Sequence, residues 1–95
     1  METSKHFFYV LQCRDGSFYA GYTNALEKRI KAHNDGKGAK YTRGRGPVRL
    51  IFSQEFEEKS DALKLEYRFK QLSRLKKETF IREGAAGFDL AAEKF

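Results

Sequence analysis

Residues Phe7 to Thr23 read FFYVLQCRDGSFYAGYT, two runs rich in aromatic and β-branched residues separated by Arg-Asp-Gly-Ser. Such runs around a turn signal predict a β-hairpin, with strands over 6–13 and 17–22. The loop length decides which side chains share a face. A two-residue Asp15-Gly16 loop would pair Arg14 with Ser17 and send Tyr9 and Tyr19 to opposite faces, because side chains alternate along a strand. A three-residue loop, Arg14-Asp15-Gly16 with Gly16 left-handed, pairs Cys13 with Ser17 and brings both phenols to one face. The second register is the one expected here, and it makes these tyrosines candidates for chemistry as well as packing, since a buried phenol needs a partner for its hydroxyl.

Downstream, TNALEKRIKAHNDG predicts a helix. Asn24 and Glu27 have the spacing of a capping box, and Asn34-Asp35-Gly36 is a stop signal. Leu26, Ile30 and His33 follow one helical face, and Arg29 lies one turn before His33 at the edge of that stripe. Asn34 to Pro47 sets Lys37, Lys40, Arg43 and Arg45 among four glycines, which predicts a mobile basic loop. In VRLIFSQEF, Val48, Leu50 and Phe52 alternate with Arg49, Ile51 and Ser53, a third strand with one apolar face. Ser60 is placed to cap a helix reaching about Leu72, with Ala62, Leu65, Phe69 and Leu72 on its buried stripe and Glu66 beside it. Ser73 is placed to cap a last helix through about Arg82.

The whole chain has 95 residues, enough for one core and not two. Its single cysteine, Cys13, has no internal disulfide partner, and with only His6 and His33 besides, a four-ligand zinc site is not expected. The apolar run at the N-terminus is too short for a signal peptide and no stretch approaches membrane-spanning length, so the reading is a cytoplasmic protein with no membrane partner. A net charge of +6 favours a polyanionic partner, because lysines and arginines that neutralise phosphates release counterions.

Taken together, FFY at Phe7 to Tyr9, YAG at Tyr19 to Gly21, LEKRIKAH at Leu26 to His33 and a later glutamate on an amphipathic helix resemble the GIY-YIG endonuclease superfamily, in particular its small stand-alone members. The match runs over residues 6 to 82. Phe7 and Phe8 stand where the first motif has glycine and isoleucine, Tyr22 stands where many relatives have Lys or Ser, and the asparagine that some members carry near the domain's end has no counterpart. The resemblance implies an α/β domain (α+β), a three-stranded antiparallel sheet flanked by helices, over residues 1–82, with a C-terminal tail over 83–95. It implies Tyr9, Tyr19, Arg29, His33 and Glu66 as catalytic residues, Gly21 as the motif glycine, and Glu66 as the ligand of Mg²⁺ or Mn²⁺.

That set makes chemical sense for metal-dependent phosphodiester hydrolysis, which needs an activated water and compensation for charge on the phosphate. One carboxylate can hold a hydrated Mg²⁺ that also binds phosphate. Arg29 can grip the same phosphate with its fork, and Tyr9 or Tyr19, ionised beside a cation and a metal, can take the water's proton. Lys37, Lys40, Tyr41, Thr42, Arg43 and Arg45 are the expected contacts to a nucleic acid, with DNA the leading class. The bland readings are sheet aromatics, a helix-end histidine, and a Glu66–Lys70 surface pair. The rival function is a non-catalytic nucleic-acid-binding module working with a protein partner; a third reading uses Phe88, Leu90 and Phe95 of the tail as an adaptor. A monomer or weak dimer is expected.

Overall fold

A computed structural model describes residues 5–83. The tail expected over 83–95, and the adaptor reading built on it, lie outside the described residues but for Glu83. The elements are β1 (His6–Gln12), β2 (Phe18–Thr23), α1 (Leu26–Asn34), a single 3₁₀ turn (Lys40–Thr42), β3 (Arg49–Phe56), α2 (Lys59–Lys70) and α3 (Arg74–Glu83). The sheet is antiparallel in the order β2-β1-β3, so the aromatic first strand is its centre. The expected α/β architecture is therefore the one observed. No helix among the described residues is long and apolar enough to cross a membrane.

The hairpin closes as its loop chemistry requires. Gly16 takes a positive φ of 88°, its N–H reaches the Cys13 carbonyl at 2.9 Å, and the Cys13 N–H reaches the Ser17 carbonyl at 2.8 Å. Asp15 braces the turn by accepting from the Ser17 N–H at 3.0 Å and the Ser17 hydroxyl at 2.6 Å. This fixes the register that pairs Tyr9 with Gly21 and Leu11 with Tyr19.

Alternation along β1 then separates two cores. Phe8 and Val10 face α2 and α3, where they meet Ala20, Leu65, Phe69 and Phe80 in an apolar cluster. Its rings pack edge to face, with centroids 4.9 Å apart for Phe52–Phe80 and 5.5 Å for Phe69–Phe80. Tyr9, Leu11 and Cys13 face the other way, toward Val48 and the Leu26–Ile30 stripe of α1.

Three local expectations are corrected. Asn24 makes no cap to α1; the hydroxyl of Thr23 accepts from the Ala25 N–H at 3.0 Å instead, one residue earlier in a tighter turn. Ser60 lies inside α2, which starts at Lys59 after an extended Glu58. In β3 the register shifts from Val10↔Phe52 to Leu11↔Leu50, a bulge at Ile51. That extra residue breaks the single apolar face: Ile51 and Phe52 pack on the α2–α3 side, Val48 on the α1 side, and Leu50 is left 38% exposed. The expected cap at Ser73 is found, its hydroxyl accepting from the Lys76 N–H at 3.3 Å.

Candidate active site

The site begins with the absence of a side chain. Tyr9 lies opposite Gly21, and its ring crosses that residue on the way to the edge strand β2. A Cβ on Gly21 would sit 2.6 Å from the Tyr9 Oη and 2.8 Å from its Cζ. Tyr19, two residues along β2 on the same face, leans on the Tyr9 ring with centroids 6.3 Å apart. The hairpin thus delivers both phenols together, as the three-residue loop predicts.

Helix α1 supplies the partners. One turn apart on its inner edge, Arg29 and His33 face the phenols. The Tyr9 and Tyr19 phenols lie close enough to the Arg29 guanidinium to raise its pKa, Tyr9 foremost. His33 is buried, with its Nε2 2.9 Å from the Tyr9 Oη and its ring centroid 5.2 Å from that of Tyr19. Burial, and then the Arg29 charge, lower the pKa of His33, so the imidazole is neutral at pH 7. Burial also dominates at Tyr9, whose phenol is pushed up to about 12 against the opposing pull of Arg29. Desolvation outweighs the Arg29 cation, so in the protein alone the Tyr9 phenol is protonated.

Glu66 approaches from α2, beside the buried Leu65 and Phe69. Its side chain is 18% exposed and pairs with Lys70 at 2.9 Å, while its charge acts on the Tyr9 phenol from across the site. Tyr9, Tyr19, Arg29 and His33 are therefore brought together, in two layers, with Glu66 near enough for its charge to act on Tyr9. Tyr9 and His33 are sealed, at 0% and 1% exposure; Tyr19, Arg29 and Glu66 stand half-buried at the mouth.

The basic loop is tied by hydrogen bonds at both ends. The Arg14 N–H donates to the Arg45 carbonyl at 2.8 Å, and Asn34 at the end of α1 accepts from the Val48 N–H at 2.7 Å. Thr42 is corrected as a nucleic-acid contact: it is 1% exposed, and its hydroxyl lies 2.8 Å from the His33 Nδ1. Arg45 pairs with Asp15 at 2.9 Å and covers the Tyr41 ring at 4.2 Å, while Tyr19 stacks on Tyr41 at 6.1 Å. Lys37, Lys40, Tyr41 and Arg43 remain at the surface. Gly38 has a role that sequence reasoning missed: it passes so close to the His33 ring that a Cβ there would overlap Nδ1 and lie 2.7 Å from Cγ. Nine positions separate His33 from Thr42, and no periodicity links them.

The chain matches the model of the GIY-YIG catalytic domain over residues 5–79. It belongs to that family. Among its relatives, the UPF0213 protein RBAM_000440 of Bacillus velezensis is 64% identical over 83 residues, covering 87% of this chain and 84% of that one. The UPF0213 protein YazA of Bacillus subtilis is 61% identical over the same shares. Two solution NMR structures resemble this GIY-YIG domain. The UPF0213 protein BH0048 from Bacillus halodurans gives a TM-score of 0.58 at 46% identity, with 93% of this chain and 94% of that chain covered. EF2693 from E. faecalis gives 0.60 at 45% identity, with 100% and 98% covered. This is a small, single-domain member of a family associated with nuclease function.

Proposed function

We propose that the protein is a metal-dependent endonuclease that hydrolyses phosphodiester bonds in nucleic acid, with DNA as the leading substrate. The observation that carries this reading is a half-buried phenol, Tyr19, and a guanidinium, Arg29, set over the sealed Tyr9 phenol of a basic domain, with the Glu66 carboxylate acting on Tyr9 by its charge.

The donor set suits a hard cation that keeps most of its water. Glu66 offers one carboxylate, partly open to solvent, and no three His, Cys, Asp or Glu side chains cluster as a cage among the described residues. Mg²⁺ binds in this manner, through one or two carboxylates shared with substrate phosphate, and Mn²⁺ accepts the same ligands. Glu66 would hold it once Lys70 turns aside, and the ion would supply positive charge against the phosphate oxygens.

Each residue's part follows from its layer. Arg29 stands half-buried beside both phenols, where its forked N–H groups can meet a phosphate. Tyr19 is the phenol with an open side, and we assign it the contact that positions the attacking water by a hydrogen bond, beside the Arg29 charge that offsets negative charge on the phosphate. Tyr9 has no exposed surface to offer a water. It orients Arg29 from behind and passes its own hydroxyl hydrogen bond to His33. Lys37, Lys40 and Arg43 hold the backbone of the strand electrostatically.

The test is a cleavage screen with Mg²⁺ and Mn²⁺ over duplex, flap, branched and single-stranded DNA and RNA, run beside Glu66→Ala. The wild type should nick at least one substrate, and the variant should lose nicking while keeping its salt-sensitive binding. Equal nicking by the two proteins, or binding with no turnover under any condition, overturns the reading; the second result favours the non-catalytic module.

A further inference from the structure

The strongest polar feature outside the four-residue constellation is a buried chain of hydrogen bonds that runs from the basic loop to the tyrosine layer. The His33 Nε2 lies 2.9 Å from the Tyr9 Oη, its Nδ1 lies 2.8 Å from the Thr42 Oγ1, and that hydroxyl donates to the Ala39 carbonyl at 2.9 Å. Which imidazole nitrogen carries the proton follows from counting protons along the chain. A threonine hydroxyl has one proton, and the Ala39 carbonyl can only accept. Thr42 therefore spends its proton on Ala39 and must accept from His33, which puts the ring proton on Nδ1. The lone pair of Nε2 is then left facing Tyr9, whose hydroxyl donates to it.

The opposite tautomer satisfies the site less well. It would set two acceptors, the Thr42 oxygen and the Ala39 carbonyl, against each other at 2.9 Å. Its one gain would be the Ala39 N–H, which lies 3.4 Å from Nδ1 and is a long, weak contact. Tyr9 would receive a proton from His33, and its own hydroxyl proton would have no acceptor among the described residues.

We propose that Thr42 is a positioning residue for this site: by accepting from the His33 Nδ1–H it fixes the imidazole tautomer that makes Tyr9 a donor to His33 and leaves the lone pairs of the Tyr9 oxygen for the Arg29 side of the site. The groups that face His33 are Tyr9 from β1, Tyr19 from β2, Arg29 from its own helix and Thr42 from the 3₁₀ turn. Of these, the uncharged Thr42 alone meets Nδ1 with a side chain, so the choice of tautomer rests on it. The missing Cβ of Gly38 is what lets the loop close on this edge of the ring. Lys40, Tyr41 and Arg43 stand at the surface of the segment that buries Thr42, so a strand lying on the loop is registered against the Arg29 anchor through one hydroxyl.

The kinetic consequence rests on the nuclease reading, but the tautomer does not, and the two are measured separately. Long-range ¹H–¹⁵N correlation spectra of the histidine rings in the full-length protein should show His33 neutral with the proton on Nδ1. Thr42→Val, which keeps the shape and removes the hydroxyl, should shift the population to the Nε2–H form, and Thr42→Ser should restore the native pattern. In cleavage, Thr42→Val should lower kcat by about 10- to 100-fold with little change in KM, and Thr42→Ser should recover most of the rate. A wild-type His33 protonated on Nε2, or a Thr42→Val spectrum with the tautomer unchanged, overturns the assignment. Should Thr42→Val fail to fold, the wild-type and Thr42→Ser spectra still decide it. Should the wild type cleave nothing, the nuclease reading falls while the spectra continue to test Thr42.

Discussion

Replacing Gly21 with alanine adds one methyl group, and the structure dictates where it goes. The backbone there is not among the positive-φ glycines, so alanine is conformationally acceptable, and loss of glycine's freedom in the unfolded chain alone would stabilise the fold by about 0.4–1 kcal/mol. Sterics point the other way. The new Cβ would lie 2.6 Å from the Tyr9 Oη, 2.8 Å from its Cζ and 3.1 Å from the Tyr19 Cε2. To restore ordinary contact at 3.4 Å the phenol oxygen must withdraw by about 0.8 Å, and Tyr9 is fully buried with nowhere soft to move. Overpacking of this kind costs about 1–3 kcal/mol, which exceeds the entropic gain. The net loss of about 1–2 kcal/mol should lower Tm by roughly 5–15 °C for a domain of this size. The displaced oxygen also leaves the point where His33 and Arg29 meet it, so cleavage measured well below Tm should fall by about 100-fold. Thermal unfolding followed by circular dichroism and a nicking assay at fixed temperature check both numbers. A Gly21→Ala protein with unchanged or raised Tm would refute the claim that this glycine exists to let the Tyr9 ring pass.

The buried Tyr9 phenol, pushed up to about 12 by desolvation, has a signature in alkali. Its folded pKa is raised above the unfolded value near 10, so its contribution is complete below pH 10 and is lost as pH climbs from about 10 toward 12. Stability of the wild type should fall more steeply across that window than stability of Tyr9→Phe, and a phenolate absorbance titration should show a late step that the variant lacks; identical curves would contradict the burial argument. In the basic loop, neutralising Lys37, Lys40 or Arg43 one at a time should reduce the slope of log affinity against log salt by about 1 for each phosphate contact removed. Slopes that do not change would mean that the strand lies elsewhere.

Sequence reasoning succeeded where the information was local. Asp15, Gly16 and Ser17 define a loop whose length sets the register, and the register alone brings Tyr9 and Tyr19 to one face. The helical period did the same for Arg29 with His33, and for Glu66 beside Leu65 and Phe69. It failed where two segments choose between equivalent partners. Asn24 has the spacing of a cap, but α1 starts from Ala25 with no side-chain cap, and the Thr23 hydroxyl closes the preceding turn instead. The bulge at Ile51 follows from strand pairing with β1, which no pattern inside VRLIFSQEF encodes. Thr42 looks like one more polar residue in a basic loop until the loop is folded over His33, and only then does it acquire a buried partner.

The two faces of β1 divide the molecule's tasks. On one side Phe8, Val10, Ala20, Leu65, Phe69 and Phe80 form a core with no polar side chain among its buried members, as a fold built for stability requires. On the other, Tyr9, His33 and Thr42 carry hydroxyl and imidazole groups into a sealed space beside Leu11 and Val48. Burying such groups is costly, and even when satisfied they add little net stability over an apolar filling of the same shape. A chain selected for stability alone would place phenylalanine at position 9 and an aliphatic residue at position 33. Because each polar atom of this network is instead satisfied by another, the cost is explained by what the network orients: the Tyr9 phenol beside the Arg29 guanidinium at the mouth of the site, where a phosphate would meet it.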